Sequence, residues 1–405
     1  MISKLLYILK HDITVNKIVI FIFLFIYCGC YYQQYLSFIS LSYLLLGVAF
    51  VYNLVKHKKI IHLQFVLISS FFVVYCIFSS LWAPNFDVSY KASIQLFKSV
   101  FVSVLFITLI DSRSTFKWAL FSFSLAGIIY SILYLQNVDI ASLGANRIGS
   151  ATDDSLDLLP NVNTVGLFLS FSFVYFLYCY FSEKRSLYIV LIAFSFVVIF
   201  ILGARKSILS LCFCLVMLTH RLKVSSRIKI VILCCAFIVL LFVYVPSEYL
   251  IFVSERLAQL NFFSNKISDL DESDSTRILL LESGFMYGLA SPILGNGYYS
   301  FSQLLLKDYG FSMYSHNNLI ETFVGGGIIG VILYYSLYYV VLKKCYIRNK
   351  QIDIPYLLFI LMMVLLFNHF SIVVLQERFI WILLSILYVG AKYCANTYAD
   401  RFSCR

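Results

Sequence analysis

Apolar runs of eighteen or more residues, each nearly free of charge, recur along this chain, and each is long enough to cross a bilayer as a helix. Hydrophobic residues make up 61% of the 405 and charged residues 13%, and the mean hydropathy is +0.89, so the chain cannot be water-soluble. The runs predict twelve spans, at roughly 17–34, 36–55, 60–82, 90–110, 116–135, 163–181, 186–203, 206–220, 228–246, 318–342, 355–373 and 378–394. Only five prolines interrupt them, which suits long helices. The expectation is an all-α integral membrane protein of about twelve transmembrane helices, forming one polytopic domain over 1–405 with no internal repeat. The mixed segment before Lys17, with no small-residue cleavage site after the first apolar run, does not read as a cleavable signal.

The formal charge of +11 raises the question of a nucleic-acid partner, and its distribution answers against one. Twenty-one of the 31 basic residues, against five acidic ones, cluster at alternate ends of the spans and at both termini. These clusters include Lys56, Lys58 and Lys59, then Lys184 and Arg185, then Lys343, Lys344, Arg348 and Lys350. That bias sets both termini on the cytoplasmic side. Two long connections then fall on the outer side, about 136–162 and 247–316. The second carries helical periodicity at 247–260 and 276–289, read as short amphipathic helices on the outer membrane face, with Asp274 or Ser275 as a cap. The acidic run Asp269, Asp271, Glu272, Asp274 reads as a solvated stretch of that connection. Most of the eleven cysteines lie inside apolar runs as small hydrophobes, and no spacing suggests a metal site.

Within this frame one stretch is set apart. Tyr314-Ser315-His316-Asn317-Asn318-Leu319-Ile320-Glu321 leads directly into the apolar run that holds Gly325, Gly326, Gly327 and Gly330. A titratable pair therefore stands where a span meets water, and the glycines, including the Gly326–Gly330 spacing, suit close approach of another helix. Four arginines also fall on the outer side: Arg147, Arg205 in Gly-Ala-Arg-Lys-Ser between two spans, Arg277, and Arg378 at the start of the last span. A guanidinium offers a planar fork of donors that suits diphosphate, and charge at membrane depth tends to be functional or paired.

His316-Asn317, nine residues, Gly327, two residues and Gly330 resemble the signature of the O-antigen ligase and O-antigen polymerase superfamily. The Gly-Ala-Arg-Lys-Ser segment at 203–207, Ser275-Thr276-Arg277 followed by Leu294-Gly295-Asn296-Gly297, and Pro160-Asn161 extend that similarity from about 140 to 342. The resemblance implies a GT-C-like glycosyltransferase that uses neither metal nor cofactor and works on the periplasmic face of the bacterial inner membrane. It implies transfer of a glycan from undecaprenyl diphosphate to a hydroxyl of an acceptor. His316 then maps to the general base, since an ordinary imidazole is about half neutral near pH 6.5. Arg205 and Arg277 map to diphosphate binders, with Arg147 and Arg378 added from position. Asn317 is a candidate to orient the imidazole or bind sugar, and Glu321 to orient His316. The implied partners are an undecaprenyl-diphosphate-linked oligosaccharide, membrane lipid and a chain-length regulator protein, with no nucleic acid.

Three functions fit. A Wzy-type polymerase joins lipid-linked repeat units. A WaaL-type ligase moves finished polymer onto lipid A-core. A flippase or other transporter of lipid-linked oligosaccharide is a third class, which the lack of repeats and the one-sided placement of polar residues disfavour. The polymerase is favoured on the pattern of Gly-Ala-Arg-Lys-Ser and Leu-Gly-Asn-Gly-Tyr-Tyr-Ser-Phe.

Overall fold

The computed structural model describes residues 14–30, 36–57, 62–136, 162–202, 205–220, 272–345 and 353–403, and among them there are thirteen α-helices and no strand. In chain order α1 is Val15–Leu24, continued by a π turn over Phe25–Gly29, and α2 is Leu36–His57. Next come α3 Leu63–Ser79 with a 3-10 turn at Ser80–Trp82, α4 Phe86–Ile107, α5 Arg113–Gln136, α6 Val162–Glu183, α7 Ser186–Ile201 and α8 Arg205–His220. The chain resumes with α9 Glu272–Ala290, α10 Phe301–Tyr309, α11 Asn318–Cys345, α12 Ile354–His369 and α13 Arg378–Ser403. Among the described residues, five helices are long and apolar enough to cross a membrane: α3 with its 3-10 turn, α4, α5, α6 and α11. Shorter apolar helices cover parts of α1, α2, α7, α8 and α12. The expected span at 228–246, Arg147, and the stretch 247–271 of the long connection lie outside the described residues.

Two helices form the centre of the bundle. Residues 164–177 of α6 and 379–391 of α13 are buried all round, as their continuous apolar sequences require. They meet where the Phe168 and Phe379 rings stack at 4.7 Å. Around them, α6 packs on α5, α7 and α8, while α13 packs on α4, α5, α11 and α12. With no hydrophobic drive between helices in lipid, such contacts rest on close packing and on shared polar groups. Gly127 of α5 illustrates the first, because a Cβ there would come within 2.4 Å of Ser172 Oγ and 2.9 Å of the Phe168 ring.

The polar contacts sort to two ends. At one end Asn16 Nδ2 donates to Asp111 Oδ2 at 2.9 Å, Trp118 Nε1 donates to Lys17 O at 2.8 Å, and Lys344 Nζ and the Tyr388 hydroxyl both reach Gln64 Oε1. Burial, followed by the charges of Lys392 and Lys344, pushes His62 down to about 4 there. Among the described residues Lys17, Lys344 and Lys392 lie at this end. The opposite end holds Trp82, Ser89, Thr164, Lys206, the 291–318 region and the 371–378 turn, joined by the contacts described below.

The described part of the long outer connection is internally helical, as the periodicity suggests, through α9 and α10. One detail is corrected: α9 begins at Glu272, so Asp274 and Ser275 lie inside its first turn and not at its cap.

Candidate functional site

The site is built on the start of α11. Asn317 caps that helix, its Oδ1 accepting from the Leu319 and Ile320 amides at 2.9 and 3.1 Å. Ser315 folds back over the cap, its hydroxyl donating to Asn317 O at 2.8 Å. Glu321, buried, closes the turn from the far side by accepting the Ser315 amide at 3.0 Å. Asn317 followed by Glu321 thus locks both faces of one turn, in the manner of a capping box shifted by a residue. His316 is the residue caught between these anchors. Its backbone is left-handed at φ 54°, and its imidazole sits 4.1 Å from the Tyr314 ring centroid. A side-chain-bearing residue held at positive φ costs on the order of 1 kcal/mol and persists only where its surroundings over-determine it. The Asn317 and Glu321 side chains thus accept backbone amides on either side of His316.

Nine residues on, the glycines do something the spacing alone does not reveal. Gly327 adopts φ 57° and ψ −160°, a backbone region open essentially to glycine, and breaks α11 inside its apolar run. A break there frees backbone groups that lipid cannot satisfy. The loop before α10 supplies them: Asn296 N donates to Val324 O at 2.8 Å, and Pro292 O accepts from Ile328 N at 2.9 Å. Gly295 makes the approach possible, since a Cβ there would lie 2.5 Å from Gly327 N. The neighbour admitted by Gly325 and Gly327 is thus a loop, and at Gly326 and Gly330 it is the Tyr75 ring of α3, at 3.3 and 3.6 Å from an added Cβ.

The same loop is clamped from outside. The Tyr75 hydroxyl lies 2.8 Å from Leu294 O and 2.9 Å from Gly326 O, Trp82 Nε1 donates to Gly295 O at 3.2 Å, and Ser89 Oγ donates to Tyr298 O at 2.6 Å. Burial pushes the Tyr298 phenol well above its ordinary value, with Cys76, and then the nearby Glu321 carboxylate, adding to the effect.

Two further elements that carry arginines pack against α11. Gly284 and Gly288 seat α9 on α11, where added Cβ atoms would run into Ile320 at 2.3 Å and Phe323 at 2.3 Å. Both numberings rise together, so α9 runs alongside α11 in the same direction. Arg277 lies seven residues before Gly284, about 10 Å back along α9, on the side of the contact where the Tyr314–His316 turn begins. Asn318, fully buried, binds the 370–377 turn, its Oδ1 accepting from Val374 N at 2.9 Å. That turn delivers Glu377 and Arg378. Thr164 of α6 reaches Glu377 Oε1 at 3.5 Å, and the Arg378 guanidinium stands 5.9 Å over the Tyr27 ring. Burial raises the Glu377 carboxyl to about 7, with adjacent Arg378 opposing the rise. Lys206 Nζ donates to Ser371 O, so the start of α8, which is Arg205, belongs to this same end of the bundle.

Below the turn lies a polar cluster that sequence reading missed. His369 is buried among three tyrosines, with Tyr335 OH 3.1 Å from Nδ1 and Tyr338 OH 3.4 Å from Nε2. Tyr334 and Tyr338 share a hydroxyl contact at 2.6 Å, and Asn318 Nδ2 donates to Tyr335 OH at 3.4 Å. The Tyr334-Tyr335-x-x-Tyr338 spacing puts the three rings on one helical face and was the available signal.

Among the described residues no group of three or more His, Cys, Asp or Glu side chains is placed to hold a metal ion. The model of the O-antigen ligase family, Wzy_C, matches residues 167–335, a segment that runs from α6 through Tyr335 and contains Arg205, Arg277, His316, Asn317 and Glu321. No curated protein matches the chain.

Proposed function

From the premise that residues 167–335 belong to the O-antigen ligase/polymerase superfamily, we propose that this chain is a Wzy-type polymerase. It moves a glycan from undecaprenyl diphosphate to a hydroxyl of a lipid-linked repeat unit, at the periplasmic face of the bacterial inner membrane, with both termini cytoplasmic. The observation that carries the reading is the strained His316, held between the Asn317 cap and the Glu321 brace within the matched segment, at the end of the bundle opposite Lys17, Lys344 and Lys392. His316 takes the proton of the acceptor hydroxyl. That oxygen bonds the anomeric carbon as the bond from the same carbon to the diphosphate breaks, and undecaprenyl diphosphate leaves with the electron pair. Arg277 and Arg378, with Arg205 and Arg147, bind the diphosphate and stabilise its charge as it departs, so neither metal nor cofactor enters the step.

A WaaL-type ligase is the second reading, favoured by the matching family's own description. Purified protein in liposomes, given one synthetic lipid-linked repeat unit and lipid A-core, separates the two. A ladder of elongated lipid-linked products supports the polymerase, and transfer to lipid A-core alone supports the ligase. Release of no undecaprenyl diphosphate under either condition overturns both.

A further inference from the structure

A hollow of about 610 Å³ opens on the outer side of the His316 turn, between the start of α4, helix α10 and the strand of chain that leads to Tyr314. Its volume is in the ordinary range for a small-ligand site and gives room for a short oligosaccharide. The lining is mixed. Tyr299 and Tyr314 offer ring faces, Asn85, Ser312 and Gln303 offer hydrogen-bonding groups, and Lys307 is the one cation of the wall among the described residues. No described arginine lines it, and arginine supplies the planar forks that suit diphosphate.

Three observations set this hollow apart from an incidental crevice. Tyr314 is shared, because the ring that closes the inner wall is the ring packed 4.1 Å from the His316 imidazole. Tyr299, on the same wall, is left-handed at φ 63°, and among the described residues only Lys184, Tyr299 and His316 are non-glycines at positive φ. One of those three, Tyr299, lines the hollow, and another, His316, packs on the Tyr314 ring of its wall, where strain marks pre-organised backbone. Finally, Gln303 is pinned through Nε2 to Tyr299 O at 3.0 Å, and its Oε1, buried and without a hydrogen-bond partner, meets a ligand hydroxyl only when the amide turns outward.

We infer that this hollow is the acceptor-saccharide subsite. It holds the sugars on either side of the reacting hydroxyl by stacking on Tyr299 and Tyr314 and by hydrogen bonds to Gln303, Ser312 and Lys307, and so sets which repeat unit reaches His316. Flat apolar ring faces match the C–H faces of a pyranose, and amide and hydroxyl groups match its rim. The inference rests on the transferase reading above, and its test separates the two.

The probe is the host's own repeat-unit oligosaccharide, freed from its prenyl diphosphate by mild acid. Its binding to full-length protein in nanodiscs is measured by titration. Ser312→Trp fills the hollow and Lys307→Ala removes its cation, and both positions are exposed, so neither change threatens folding. Gln303→Leu removes the buried acceptor. Wild type binds the free saccharide, and Ser312→Trp and Gln303→Leu weaken binding about tenfold. In the liposome assay with donor in excess, the same variants raise the acceptor KM about tenfold and change kcat little. Saccharide binding that is absent in wild type, or equal in wild type and Ser312→Trp, overturns the subsite even where transfer proceeds. Binding that depends on the hollow, in protein that releases no undecaprenyl diphosphate, upholds the subsite and removes the transferase reading.

Discussion

A single turn, 315–321, concentrates most of the chemistry at the residue scale. The Asn317 and Glu321 side chains accept backbone amides on either side of His316, which is itself half-buried. Asn317→Ala is expected to cost about 1 kcal/mol as a lost cap. It also frees the turn, so transfer falls further than thermal stability does, and equal losses in melting and turnover assays would contradict that division. Glu377 gives a pH prediction. Its carboxyl keeps a proton to about 7 in the folded protein against 4.5 as the reference, so folding holds that proton more tightly than the unfolded chain. Stability then falls as pH rises between those values. Glu377→Gln, which cannot ionise, should flatten this slope in thermal melts taken from pH 4.5 to 7.5, and an unchanged slope would remove Glu377 as its source. Asn317 was expected to orient the imidazole or bind sugar, and its capping role was not read, although an Asn before an apolar run carries that signal. The surroundings of Glu377 were not legible, because the Thr164 contact and the apolar burial around the carboxyl arise only after α6 and α13 have packed.

At the scale of elements, the broken helix α11 and the loop at 291–298 behave as one unit. The apolar run containing Gly325 to Gly330 reads in sequence as a smooth span with a small-residue face. The break was hidden because its cause is remote, in Pro292, Asn296 and Tyr75, whose contacts satisfy what the break exposes. The two signature glycines therefore differ sharply. An added Cβ at Gly327 meets Ile293 O at 2.3 Å in a backbone region closed to alanine, whereas at Gly330 the nearest contacts are 3.6 Å away. Gly327→Ala is expected to destabilise by more than about 2 kcal/mol and to abolish transfer, while Gly330→Ala leaves melting nearly unchanged. Similar melting of the two variants would mean that the break is not part of the working fold. Most helix bounds, by contrast, follow the hydropathy closely. The run 116–135 becomes Arg113–Gln136 and 163–181 becomes Val162–Glu183, because length and apolarity alone set a span.

The whole molecule keeps its polar contacts at two ends. Among the described residues Lys344 and Lys392 lie at the end where Gln64 and Tyr388 meet, and the His316 turn, Lys206 and Arg378 lie at the other. The charge bias along the sequence does not anticipate how the end that carries the His316 turn is assembled, since that depends on α9 lying along α11 through Gly284 and Gly288. Cysteines placed at Ser312 and at Lys343 test the orientation. A membrane-impermeant maleimide applied to spheroplasts should label Ser312→Cys above the parent protein and leave Lys343→Cys at the parent's level. The reverse pattern would turn the site towards the cytoplasm and away from its proposed substrate.

The most direct test of the central claim is a comparison of wild type and His316→Ala in liposomes supplied with one lipid-linked repeat unit and no nucleotide sugar. Removal of a general base lowers such a rate about a hundredfold to ten-thousandfold. Wild type is predicted to release undecaprenyl diphosphate and extend the glycan in the presence of chelator, and the variant, folded and equally stable, to do neither at a comparable rate. Extension by His316→Ala at the wild-type rate would contradict the account.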